Sequence, residues 1–264
     1  MSSGLQKGTS TLRSAIRAMV IRLGREEEMR ELRSRLQEAR SAFDPALRRE
    51  LKDAHALEVV LTAVLRQDSN AIDVGANQGV VLDSIVRIAP AGKHLAFEPI
   101  SALHESLVAR FPSVDVRRNA LSDVAEDTEF IHVLDAPAYS GLRQRNDLPA
   151  SARDVQRVPV RTERLDDLLP DGYVPTLVKI DVEGAELQVL RGAIETLTRT
   201  RPFVLFEHGM GGADLYGAHP NELFDLLDGV GLRIFDLDGA GPYSRERFEA
   251  TFPEPIWNFL AAPA

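Results

Sequence analysis

The chain has 264 residues, 44% of them apolar and 27% charged, which is ordinary for a globular protein able to bury a sizeable core. Its formal net charge of −9 argues against nucleic acid as the main ligand, because polyphosphate binding draws on dense lysine and arginine. With no cysteine there is no disulfide, no thiolate metal site and no cysteine nucleophile.

The start of the chain, through Arg25, carries five basic residues and no acid. It lacks the apolar run and small-residue cleavage site of a secretory signal, although a transit peptide can share its charge pattern. No apolar run approaches the roughly 18–20 residues that span a membrane. A cytoplasmic location is expected.

Residues 1–50 read as a helical extension and residues 51–264 as the main domain. Leu12, Ile16, Met19, Val20 and Leu23 recur at helical spacing, with Arg13 and Arg17 opposite them. A basic amphipathic helix of this kind packs on a partner subunit or on its own domain, or lies peripherally on an anionic membrane. Met29, Leu32, Leu36, Ala39 and Phe43 then form a coiled-coil seam of about two heptads, shorter than a firm assignment needs. Homo-oligomerisation and peripheral membrane contact are the two roles expected of this extension. Asp44 and Pro45 resemble a helix start. Leu47, Leu51, Leu57, Val60, Leu61, Val64 and Leu65 follow at helical spacing.

From residue 70 the pattern alternates between strand and helix. "AIDV" is a buried strand, "GVVLDSIVRIA" a helix, "HLAFEP" a strand, "SALHESLVARF" a helix and "VDVRRNALSD" a strand with its exit loop. Such alternation marks a parallel sheet flanked by helices. "TEFIHVLD" and "VQRVPVRTE" interrupt it as half-exposed strands. "TLVKIDVEG" and "RPFVLFEHG" resume it, with "AELQVLRGAIETLTR" as one helix between them. "LRIFDLDG" and "IWNFLAAP" read as two further strands. The expected fold class is α/β, with a parallel sheet flanked by helices.

The junction after "AIDV" holds an acid, two glycines and an asparagine. Unpaired amides at a helix start and glycines that admit a close ligand make this a binding device. The spacing Gly75-x-Asn77-x-Gly79 misses the dinucleotide pattern Gly-x-Gly-x-x-Gly, and no Gly-Lys-Ser/Thr is present to make a phosphate loop. The turn instead resembles the first motif of class I S-adenosylmethionine (SAM) methyltransferases. Asp73 can face the ammonium of SAM, and residues 75–79 can pass beneath its ribose and methionine. Glu98 stands 25 residues after Asp73 at the end of the next strand, where an acid can accept from both ribose hydroxyls.

Taken with "IDVGANQG", "FEP" and "NALSD", the run "LVKIDVEGAELQVLRGA" closely resembles the FkbM family of SAM-dependent methyltransferases, over about residues 55–262. The resemblance implies an α/β, Rossmann-like sheet of about seven strands and methyl transfer to a hydroxyl oxygen, often of a sugar or polyketide natural product. Carried over by motif, Asp73, Gly75, Asn77 and Gly79 line the methionine end and Glu98 binds ribose. Asn119 and Ala120, with Ser122 and Asp123 beyond them, border the adenine, and Asp181 stands beside the sulfonium. Val80, Val81 and Leu82 depart from the aromatic and hydroxyl residues that relatives often carry there.

Methylating an alcohol calls for alignment and for a base or a metal. His208, Asp181 and Glu207 are the candidates at the ends of the two central strands. His208 is the first choice for base because imidazole titrates near neutrality. Asp181 and Glu207 are instead the candidates for holding a divalent cation such as Mg2+, whose preferred ligands are oxygens. Glu186 reads as structural. Glu183 stays open between helix-end charge and function.

The glycine-rich stretch "GMGGADLYGAHPNEL", with Tyr216 and His219, reads as a lid. "YSGLRQRN", with Tyr139, Ser140, Arg143 and Arg145, reads as a grip on a sugar or glycolipid. Either is equally an ordinary surface loop. Trp257 reads as core. The leading function is a SAM-dependent O-methyltransferase acting on a glycan, glycolipid or natural product. A SAM-binding scaffold without turnover and an NAD-dependent oxidoreductase are the alternatives.

Overall fold

The structure, a computed structural model, describes residues 45–135, 139–144, 154–254 and 258–264. The expected amphipathic helix and coiled-coil seam within residues 1–44 lie outside the described residues, as do Arg145 and Trp257. Residues 56–264 pack as one unit.

Helix α1, Pro45–Val64, begins at a proline, where the missing N–H costs nothing. Its Leu61 belongs to a buried cluster with Ala71, Ile85, Leu177 and Leu205, against which the partly buried Leu57, Val60 and Val64 pack. No helix among the described residues is long and apolar enough to cross a membrane.

Strands β1 (Ala71–Val74), β2 (Leu95–Phe97), β3 (Asp115–Arg117), β7 (Leu177–Ile180), β8 (Phe203–Glu207), β9 (Leu232–Asp236) and β10 (Asn258–Pro263) form one seven-stranded sheet. Its order is β3-β2-β1-β7-β8-β10-β9. The pairs β1–β2, β2–β3, β1–β7 and β7–β8 are parallel, while β10 runs antiparallel to both β8 and β9. β1, β2 and β7 are buried at every residue, as continuous apolar runs between two helix layers require. Strand order reverses between β1 and β7, and in open α/β sheets ligands bind beyond the C-terminal strand ends at that reversal.

Helices α2 (Val80–Ile88) and α3 (Ser101–Arg110) follow β1 and β2. The two half-exposed strands, β5 (Glu126–Val133) and β6 (Val155–Glu163), form an antiparallel pair. With the short strand β4 (Ala120–Leu121) they make a second, three-stranded sheet in the order β4-β6-β5.

The helix expected as one piece after β7 is two: α5 (Glu186–Arg191) and α6 (Ile194–Thr200). Gly192 lies against the loop after β4, so close that an added Cβ would stand 2.1 Å from the Ser122 carbonyl oxygen. Asp166, on the short helix α4 (Leu165–Leu168), caps the second piece by accepting from the amides of Glu195 and Thr196, both at 2.9 Å.

The expected lid contains a 3-10 turn, Ala213–Tyr216, and the start of α7 (Pro220–Gly229). α8 (Arg245–Thr251) is capped by Ser244, whose hydroxyl accepts from the Arg247 amide. The periodic apolar residues of α7 (Leu223, Leu227) and of α8 (Phe248) are fully buried.

Candidate functional site

The turn after β1 is shaped by two left-handed residues, Gly75 (φ 76°) and Asn77 (φ 48°). At Gly75 a side chain is excluded twice, because a Cβ would also stand 1.9 Å from the Asp181 carbonyl oxygen. The turn is tied to the end of β2: Gly75 and Ala76 donate their amides to the Phe97 carbonyl at 3.0 and 3.1 Å.

Glu98 then receives the amides of Asn77 and Ile100, both at 2.9 Å, one on each carboxylate oxygen. It is buried, contrary to the solvated acid that a strand end usually offers. Burial pushes its carboxyl above the usual range, against the pull of the two amides.

Asp73 and Lys179 are register partners on β1 and β7, so their side chains meet on one face of the sheet. The Lys179 ammonium lies 3.1 Å from Asp73 Oδ1 and 3.3 Å from Asp181 Oδ2, and donates to the Gly75 carbonyl at 2.9 Å. Burial alone would favour neutral lysine, but the carboxylates of Asp181 and Asp73 override it and hold the amine protonated. Asp73 is 1% exposed and does not line the cleft; burial raises its carboxyl above the usual range, against the pull of the Lys179 ammonium beside it. Lys179 escaped the sequence candidates, although a lysine inside the apolar run "LVKIDV" was its signal.

The loop after β7 turns through Glu183 (φ 57°) and Gly184 (φ 111°). At Gly184 a Cβ would stand 2.4 Å from the Gly212 backbone, which fixes residues 182–186 against the segment after β8. Glu186 closes the loop by accepting the amides of Val182 and Gly184 at 3.1 Å each. Burial raises its carboxyl to about 7. From the far side, Arg143 donates its amide to Tyr216 Oη at 3.0 Å and a guanidinium N–H to the Leu215 carbonyl at 2.8 Å. The expected lid is thus tied to the loop that carries Ser140 and Arg143.

These elements surround a cleft beyond the ends of β1, β2 and β7. Gly75, Asn77, Glu98, Asn119, Ala120 and Asp181 all line it, brought together from four separate stretches. Ile100, Leu103 and Leu121 give it an apolar wall, and Phe130, His132, Ser140 and Leu142 close it from the side of the three-stranded sheet. The sequence singled out neither Phe130 nor His132, because a half-exposed hairpin carries no local sign of which face meets a cleft.

Gly79 and Asp123 do not line it. Gly79 is left-handed (φ 72°) at the start of α2 and packs under Leu107 and Phe111, while Asp123 accepts from the Ser122 hydroxyl. Glu207 and His208 are also outside the lining. The His208 ring stacks on Phe248 at 5.7 Å between centroids and tilts against Phe252 at 5.1 Å. Neither of its nitrogens has a hydrogen-bond partner among the described residues. Burial lowers its pKa to about 4. This is the setting of a neutral core side chain, not of a group poised at an open site. Among the described residues no group of three or more acids and histidines is placed to hold a metal ion.

A model of the methyltransferase FkbM domain matches residues 73–233 of this chain. The chain is 27% identical to the AMB antimetabolite synthetase AmbE of Pseudomonas aeruginosa, over 75% of its own length but 12% of that protein's. Among solved structures, a methyltransferase FkbM from Methylobacillus flagellatus is similar with a TM-score of 0.46 at 15% identity, over 75% of this chain and 44% of that one. A precorrin-6y C5,15-methyltransferase from Geobacter metallireducens is similar with a TM-score of 0.43 at 15% identity, over 78% and 87%. The chain therefore spans about one eighth of the curated relative and under half of the FkbM structure.

Proposed function

The chain belongs to the FkbM methyltransferase family, a family of SAM-dependent enzymes, and from that premise we propose that it methylates a hydroxyl oxygen of a glycan, glycolipid or other small natural product. The observation that carries the reading is the convergence of Gly75, Glu98, Asn119 and Asp181 on one cleft at the strand-order reversal.

The donor set suits SAM. Gly75 and Asn77 give backbone room for the amino-acid end, and the Asp181 carboxylate offers a partner for its ammonium. Glu98 keeps lone pairs on both oxygens for the ribose diol while its two amide bonds hold it still. Asn119 can read the edge of adenine against Leu103 and Leu121. When bound, SAM supplies a methyl group that is already electrophilic.

What remains for the protein is to align the acceptor oxygen and exclude water, and such positioning is worth roughly 7–11 kcal/mol of barrier. The acceptor would enter from the side of the three-stranded sheet, where Phe130, Ser140 and Leu142 mix apolar surface with a hydroxyl. Antimetabolite synthesis in the curated relative is in keeping with a small-molecule acceptor.

Calorimetric titration with SAM and with S-adenosylhomocysteine tests the reading. Both should bind in the micromolar range, Glu98→Ala should weaken both at least tenfold, and Asp181→Ala should do the same. Repeating the titration with Mg2+ tests whether a cation joins Asp181; tighter binding would add it. Unchanged affinity in both variants would remove the cofactor assignment.

A further inference from the structure

We propose that His132, on the three-stranded sheet, is the base that receives the acceptor's proton during methyl transfer. The inference rests on the methyl-transfer reading above and names the group that serves it.

Four side chains that can titrate line the cleft: Glu98, His132, Asp181 and Glu183. Glu98 is held by two amides and Asp181 by the Lys179 ammonium. Glu183 belongs to the strained left-handed turn. His132 differs from all three. Along β5 the side chains alternate, with Ile131 and Val133 buried on one face and Phe130 and His132 on the other, facing the cleft. Among the described residues no hydrogen bond occupies either ring nitrogen of His132, so a lone pair is available there.

Its position is nonetheless fixed. Eight residue pairs tie β5 to β6, and His132 stands opposite Gln156. Its neighbour Val133 donates an amide to Ser140 Oγ at 3.0 Å, and Ile131 bridges to Gly141. A base on a paired strand needs no loop closure to find its place.

The charged groups around the ring are few. Asp154, before β6, raises its pKa, and partial burial lowers it with the larger effect. Across the cleft stand Asp181, Glu183 and Glu98. The net lowering favours the neutral ring, which keeps a lone pair on one nitrogen.

The step balances without a further reagent. The acceptor oxygen forms its bond to the methyl carbon as the carbon–sulfur pair returns to sulfur. The O–H proton passes to an imidazole nitrogen of His132 and leaves later to water.

The test needs no knowledge of the acceptor. SAM carries a positive charge at the sulfur beside its methyl, and S-adenosylhomocysteine carries none. The His132 ring of the full chain is titrated by histidine NMR in the presence of each ligand at saturation, with its signal assigned from the one lost in His132→Gln and in His132→Asn. If His132 faces the methyl, its pKa should be lower with SAM than with S-adenosylhomocysteine by about 0.5 or more, while that of His94, bonded to the Ala89 carbonyl and outside the cleft lining, changes by less than about 0.1. Equal pKa values with both ligands bound overturn the proposal and leave the methyl-transfer reading intact. No binding of either ligand overturns that reading and this inference with it.

Discussion

At the end of β7 a buried lysine and aspartate meet a second aspartate that faces the cleft, while at the end of β8, the next strand in the sheet, an imidazole is buried among aromatic rings. Lys179 pairs with Asp73 and Asp181 and donates to the Gly75 carbonyl, so its burial builds the turn that shapes the cleft. His208 satisfies nothing polar among the described residues and packs on Phe248 and Phe252. The residue just past a strand end thus lines a cleft in one case and packs in the core in the other. Which one results depends on what the neighbouring elements bring up: a glycine turn from β1, or α8 with its phenylalanines.

The largest effect should follow from breaking the charged cluster. Lys179→Met leaves Asp73 buried without a counter-charge, which typically costs roughly 3–5 kcal/mol. Urea unfolding measures it, and adding Asp73→Asn to the same chain should recover part of the loss. A cost below about 1 kcal/mol would mean that the cluster contributes only packing.

The first half of this comparison could largely be read from residues 71–98 and 177–186, because its parts are local: an apolar strand, a glycine turn, an acid at the next strand end. Glu98 lines the cleft as its spacing after Asp73 implied, and Asn119 and Asp181 line it as the family resemblance implied. Asp73 did not, because pairing with Lys179 is a matter of register between strands over 100 residues apart in sequence. His208 could not be placed either. Its partners Phe248 and Phe252 lie some 40 residues on, in a helix that the amphipathic pattern left unread. The break at Gly192 escaped notice for a similar reason, since the Ser122 carbonyl that crowds it comes from another sheet. His132 needed knowledge of which hairpin face meets the cleft.

A second test sharpens the glycine turn. Gly75 and Gly172 share a left-handed backbone (φ 76° and 72°), but a Cβ at Gly172 would meet nothing within 4 Å, whereas one at Gly75 would stand 1.9 Å from the Asp181 carbonyl. Gly172→Ala should therefore cost only about 1 kcal/mol, the penalty of the left-handed conformation. Gly75→Ala should cost roughly 2–4 kcal/mol in thermal or urea unfolding and weaken S-adenosylhomocysteine at least tenfold, because the loop carrying Asp181 must move. Equal costs would show that the turn tolerates displacement.

The smallest net effect comes from two buried groups whose titrations oppose each other, so that most of each is hidden in the wild type. His208 has its pKa lowered from 6.5 to about 4, so its contribution is complete above about pH 6.5 and is lost as pH falls toward 4. Glu186 has its pKa raised from 4.5 to about 7, so its contribution is complete below about pH 4.5 and is lost as pH rises toward 7. Each changes stability by at most about 3 kcal/mol, since a tenfold change in proton affinity corresponds to about 1.4 kcal/mol. Between pH 4.5 and 6.5 the two slopes partly cancel in the wild type. His208→Leu should expose the Glu186 slope, with Tm falling as pH rises, and should leave affinity for S-adenosylhomocysteine unchanged because the ring is outside the cleft. Glu186→Gln should expose the opposite slope, with Tm rising with pH. Melting curves taken at closely spaced pH values separate them, and identical profiles in both variants would mean that neither group is buried in the ionisation state its surroundings impose.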